Sequence, residues 1–152
     1  MVNRGKKIRR EGGLMLKPSD IPVTKVVRVY TGADRRSHFE DLLVPMSEFR
    51  MGSLFSYKSN LVPVKGVVFR VNPLDGSEEF HTPPQRQFVI TLSGAVELRA
   101  GDGTTRRFGP GGILLAEDTT GEGHSAREIT GPRRSIILPV PDDFDISAWQ
   151  KV

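Results

Sequence analysis

The chain contains no cysteine. That absence excludes disulfides, thiolate zinc sites and cysteine nucleophiles together. No apolar run approaches the roughly 18–20 residues that a bilayer-crossing helix needs, so no membrane partner is expected. The first residues lack the apolar middle segment of a secretory signal, which makes a cytoplasmic location the expectation. A sustained helical period is missing too. The best helical candidate is short, DISAWQK at 145–151. There is no Gly-x-Ser-x-Gly elbow, Walker loop or dinucleotide fingerprint. The run GDGTTRRFGPGG is glycine-rich, but it sits in a hairpin rather than before a helix and is not expected to cradle phosphate.

The net charge of +4 is local. The opening segment MVNRGKKIRREGG holds five of the 22 Lys/Arg and one of the 18 Asp/Glu, so it accounts for the whole excess. The rest is formally neutral, with no basic stripe on the part that folds, and no nucleic-acid partner is expected. Residues 1–13 are therefore expected to be a basic, disordered tail, with Met15 a candidate natural start. The remaining 14–152 are expected to form one domain, since 152 residues suit a single core.

What the sequence does have is punctuation. Sixteen glycines and eleven prolines separate short apolar runs. Strands are predicted over 23–30, 37–44, 49–57, 66–71, 86–100, 104–109, 111–117, 124–129 and 134–140, divided by turns such as NPLDG, AGDG, TTGEG and TGP. Many short strands with regular turns mean an all-β sandwich or barrel. In the longest run, Gly94 marks a bend or bulge. Ahead of it, strict alternation puts Gln87, Val89 and Thr91 on one face and Phe88, Ile90 and Leu92 on the other.

Two segments carry candidate chemistry. In FHTPPQRQFVITLSG, counting back from Gly94 gives Gln87, then Pro83, then His81. In GPGGILLAEDTTGEGH, a glycine turn leads through an apolar strand and a glycine-containing loop to His124. The pair resembles the two motifs of the cupin superfamily, specifically its small single-domain members, over about residues 66–140. In that likeness His81 takes the first histidine position, Pro83 the second, Gln87 the glutamate position and His124 the final histidine. Gly112 stands where Asp is usual, the second loop is one residue longer than the common form, and Glu128 falls where Asn is frequent.

The resemblance implies a double-stranded β-helix, or jelly-roll, barrel enclosing a small organic molecule. It also implies a metal site of about three imidazoles and one carboxylate or amide, which this chain departs from. Pro83 ligates nothing through its side chain, leaving His81, His124 and the Gln87 amide as the metal candidates. A carboxylate from Glu117 or Asp118, or the third histidine, His38, would be needed to complete the set. The cofactor expectation is accordingly none, or a weakly held divalent metal.

The leading functional expectation is an isomerase, cyclase or lyase. His81 or His124 would serve as acid or base, because imidazole titrates near neutrality, and Gln87 would orient the substrate. Gln85, Val89, Thr91, Asp118 and His38 are the candidate substrate-binding residues, with Asp118 also placed to fix a histidine tautomer. A metal-dependent oxygenase and a non-enzymatic binding or sensing protein remain alternatives, because the fold does not select the chemistry. Arg86, Arg99, Arg106 and Arg107 are expected on the outer surface, and Phe144 and Trp149 as anchors for the C-terminal segment. A homodimer is expected, since strands ahead of the first motif leave edges to cover.

Overall fold

The computed structural model describes residues 22–76 and 78–152, together with the backbone of 8–9 and 15–16. The expected tail at 1–13 lies outside the described residues, apart from Ile8–Arg9 (β1), whose backbone pairs with Met15–Leu16 (β2). The described residues are all-β and contain no helix, so none is long and apolar enough to cross a membrane.

Ten further strands follow. They are β3 (Thr24–Thr31), β4 (Ser37–Val44), β5 (Ser47–Met51), β6 (Leu54–Lys58), β7 (Val68–Asn72) and β8 (Gln87–Arg99), then β9 (Thr105–Phe108), β10 (Ile113–Glu117), β11 (Ser125–Pro139) and β12 (Gln150–Lys151). One mixed sheet of eight strands runs β12-β4-β3-β10-β8-β11-β7, with β9 paired to β8. Every ladder in it is antiparallel except β10 with β3. The path is open from β12 to β7, and no closed barrel is seen.

Three local expectations change. The run 49–57 is a hairpin rather than one strand, because Gly52 adopts φ 58° and reverses the chain between β5 and β6. The two strands expected over 124–140 are one, β11, which absorbs the TGP segment as register shifts rather than breaking there. DISAWQK is not a helix. Asp145 takes the Ser147 N–H and hydroxyl at 2.9 and 2.8 Å, closing a single turn, and the chain then leaves to pair β12 with β4.

Alternation sorts the sheet into two cores. Val89 and, past the bend, Val96 and Leu98 meet Val29, Phe108, Leu114 and Ala116 on one face. Phe88 and Leu115 meet Val26, Val140 and Phe144 on the other, with Trp149 packed alongside. Leu114, Leu115 and Ala116 thus alternate between the two clusters along β10, as the two-residue period of a strand buried on both faces requires. Phe88, Phe144 and Trp149 form a ring cluster with centroids 5.7–6.1 Å apart, fixing the C-terminal segment as anticipated.

Candidate functional site

The two motif histidines meet across a backbone bridge. His81 N–H donates to the His124 carbonyl at 2.9 Å and His124 N–H donates back at 3.0 Å, leaving the rings 4.9 Å apart. Gly123 makes this approach possible. It holds φ 74°, and its α-carbon lies against the His81 peptide, where no side chain fits. Buried Ser37 ties the same loop down, donating to the Gly123 carbonyl at 2.7 Å and accepting from Gly101 N–H at 2.7 Å.

Both rings line a cavity of about 360 Å³, His124 buried in the wall and His81 exposed at the mouth. Gln87, Val89 and Thr91 line it from the first half of β8, and Val96 and Leu98 from the second half. Five sequence candidates therefore come together: His81, His124, Gln87, Val89 and Thr91. Asp118 stands behind them, fully buried, with Oδ2 2.7 Å from His124 Nδ1. A carboxylate accepts, so Nδ1 carries a hydrogen, and in the neutral ring Nε2 presents its lone pair. His81 Nδ1 likewise donates to the Glu79 carbonyl at 3.1 Å.

Two candidates are elsewhere. His38 is not among the residues lining the cavity, and both its ring nitrogens are taken by aspartates outside it. Nε2 lies 2.9 Å from Asp34 and Nδ1 3.1 Å from Asp102. Gln85 falls before β8, beyond the reach of strand alternation, and its carbonyl oxygen accepts from Lys65 at 3.3 Å. Arg86, expected on the surface, instead reaches under the C-terminal segment. It pairs with Glu117 and donates to the Phe144 carbonyl at 2.8 Å.

The carboxylates expected to complete a metal site are committed. Glu117 is held by Arg28 and Arg86, and Asp118 by His124. Glu128 lines the cavity but forms a two-pronged pair with Arg133, both bonds 2.8 Å. Among the described residues, no three His, Asp or Glu side chains are grouped to hold an ion. Two imidazoles and an uncharged amide do not fit a set of three imidazoles and a carboxylate.

Sequence reasoning missed the charged end of the cavity, made by Arg70, Glu128 and Arg133. Gly94 builds it. With φ 76°, it lets β11 lie so close that a Cβ there would stand 2.5 Å from the Thr130 carbonyl oxygen and 2.9 Å from Arg133 Cα. The register of β11 shifts opposite this point, and Arg133 turns inward, only 4% exposed. The readable signal was Arg70 itself, a guanidinium alternating with Phe69 and Val71 in FRVN. What the sequence hid was which of the two sets faces in.

No protein-family model matches the chain, and a search of curated proteins finds no match.

Proposed function

We propose that this chain is a small single-domain cupin whose jelly-roll cavity performs proton-transfer chemistry on a small organic molecule, as an isomerase, cyclase or lyase. The observation that carries the reading is the buried Asp118–His124 hydrogen bond, set in a cavity wall directly beside His81. The fold assignment draws support from the mixed, many-stranded sheet and from the spacing of the two histidine segments around Gly94.

The chemistry follows from hydrogen-bond direction. Asp118 holds the His124 proton on Nδ1, so Nε2 accepts a proton from the bound molecule and Asp118 offsets the charge that forms. The His124 imidazolium so formed returns that proton at another atom of the molecule, and His81, its Nδ1–H held by the Glu79 carbonyl, presents Nε2 as a second acceptor in the cavity. One proton leaves and one arrives, so no oxidant or reductant is consumed. The Gln87 amide, buried beside the rings, orients the substrate. No metal takes part in these steps, and any divalent ion at the two imidazoles is weakly held.

We infer further that the chain forms a homodimer through β7. This strand ends the sheet, and its outward side is apolar, with Phe69 82% and Val71 54% exposed. Two identical open edges pair antiparallel about a two-fold axis, which closes the assembly and covers both apolar strips.

A test that needs no known substrate is solvent exchange. Wild-type protein is incubated in D2O with a pool of small metabolites, and deuterium incorporation is followed by NMR. The wild type should label or convert at least one compound, with and without a chelator. His81→Ala and His124→Ala, with unchanged circular dichroism, should label none. A wild type that labels nothing beyond a protein-free control would sink the proton-transfer reading. Labelling lost to chelator and restored by one divalent metal would make the histidines ligands.

A further inference from the structure

Among the described residues, one cation at the charged end of the cavity has no carboxylate partner. Arg133 is matched by Glu128 in the two-pronged pair, but Arg70 is not matched. Its Nε donates to the Ser135 hydroxyl at 3.2 Å, and among the described residues no carboxylate pairs with it. Burial and then the nearby Arg133 charge push its proton affinity below the ordinary guanidinium value, outweighing the opposite pull of Glu128, which is itself committed to Arg133. A guanidinium in this position is costly unless something negative meets it. Two residues along β7, on the same inward side, the Asn72 side-chain amide oxygen Oδ1 is buried with no hydrogen-bond partner among the described residues. Both side chains line the cavity that holds His81 and His124.

We propose that Arg70 and Asn72 form the recognition end of this cavity and that its ligand is a small hydroxycarboxylate, its carboxylate on Arg70 and its hydroxyl donating to Asn72. The proposal deepens the proton-transfer reading, on which it rests, by naming the substrate class. Three observations converge on it. The two guanidiniums and one carboxylate at this end sum to one uncompensated positive charge, which a monoanion balances and a phosphate dianion overshoots. The free face of a guanidinium is a planar fork of N–H donors that a carboxylate matches in geometry. An unpartnered acceptor beside it asks for a donor on the same molecule. The cavity, about 360 Å³, suits a molecule of that size. With the carboxylate fixed at Arg70, the rest of the molecule extends toward the two histidines, where its protons are exchanged.

The test uses glycolate, lactate, mandelate and salicylate, each beside its own amide, with inorganic phosphate as a separate arm. Calorimetric titration of the full chain should find at least one acid bound, and its amide at least tenfold weaker. Arg70→Met should weaken that acid at least tenfold, and Arg70→Lys should recover part of the loss. Asn72→Leu should erase the preference for lactate over propionate, or for mandelate over phenylacetate. Ligand-free Arg70→Met should melt no lower than the wild type, because it removes a half-buried charge that no carboxylate pairs among the described residues. A lower melting temperature would make Arg70 a structural residue and overturn the assignment. So would acids that bind no better than their amides, or phosphate that binds more tightly than every acid. These titrations require no turnover, so their failure is separate from a failure of the deuterium-exchange experiment.

Discussion

Gly123 lies so close beneath His81 that a Cβ on it would stand 2.0 Å from the His81 carbonyl oxygen. The neighbour it would strike is backbone that is itself hydrogen-bonded to His124, so nothing nearby can give way cheaply. Gly123→Ala adds left-handed strain of about 1–2 kcal/mol to that clash. The expected loss is at least about 2 kcal/mol, or roughly 4–8 °C in melting temperature for a domain of this size. Separation of the two imidazoles should accompany it, read as changed histidine ring shifts by NMR.

Asp118 is a positioning residue for His124, acting through one oxygen. Its other oxygen is buried without a partner. Asp118→Asn keeps the shape but lets an amide N–H face the ring, which favours the opposite tautomer. Deuterium incorporation should fall about 10²–10⁴-fold with the fold intact. A slowly exchanging imidazole N–H resonance, present in the wild type, should vanish in the variant. Retention of that resonance at full activity would remove Asp118 from the mechanism.

The His38 cluster predicts a pH signature in stability rather than in activity. Hydrogen bonding to Asp34 raises His38 above its ordinary value of 6.5, and the same bond lowers Asp34 below 3.8. For Asp102 burial acts upward, but hydrogen bonds from Thr104 and the His38 charge outweigh it and bring it below 3.8. A raised histidine adds stability that is complete below about pH 6.5 and fades as pH climbs through the elevated value. The two lowered aspartates add stability above about pH 4, lost as pH falls through their depressed values. The melting difference between wild type and His38→Gln should therefore peak near pH 5–6 and shrink by about pH 9. His38→Ala should leave deuterium exchange close to wild type, in contrast to the cavity histidines.

Self-association through β7 should depend on Phe69. Light scattering at micromolar concentration should report a dimer for the wild type and a monomer for Phe69→Lys, since a charge on an open edge blocks pairing. A wild-type monomer would end the homodimer reading. Deleting residues 1–13 should change neither oligomeric state nor activity.

The sequence made most strand positions readable, because alternation and glycine turns are local signals. β4 falls where SHFEDLLV places it, and the inward set Gln87, Val89 and Thr91 follows from parity alone. Hydrogen-bond chemistry near a motif was also readable, as Asp118 beside His124 illustrates. Parity carried no information across the TPP kink, and so Gln85 was misplaced. His38 was a matter of tertiary geometry, decided by two aspartates, Asp34 and Asp102, that belong to neither histidine segment. The Arg70–Glu128–Arg133 end was hidden for another reason: β7 reverses the usual rule, turning its polar residues in and Phe69 out. Such an inversion is legible only once the strand's neighbours are known.

One feature of β8 bears on how the cavity behaves when filled. Gln87, Val89 and Thr91 stand on one side of the Gly94 bend and Val96 and Leu98 on the other, yet all five face the same space. Much of the chamber's lining is thus carried on consecutive lengths of a single covalent ribbon. They cannot slide past each other as two separate strands would, and spreading them means unbending Gly94 against the β11 backbone pressed upon it. The chamber is therefore of fixed gauge. Selection among ligands should fall on molecules that already have the right width, with free and filled forms nearly superimposable.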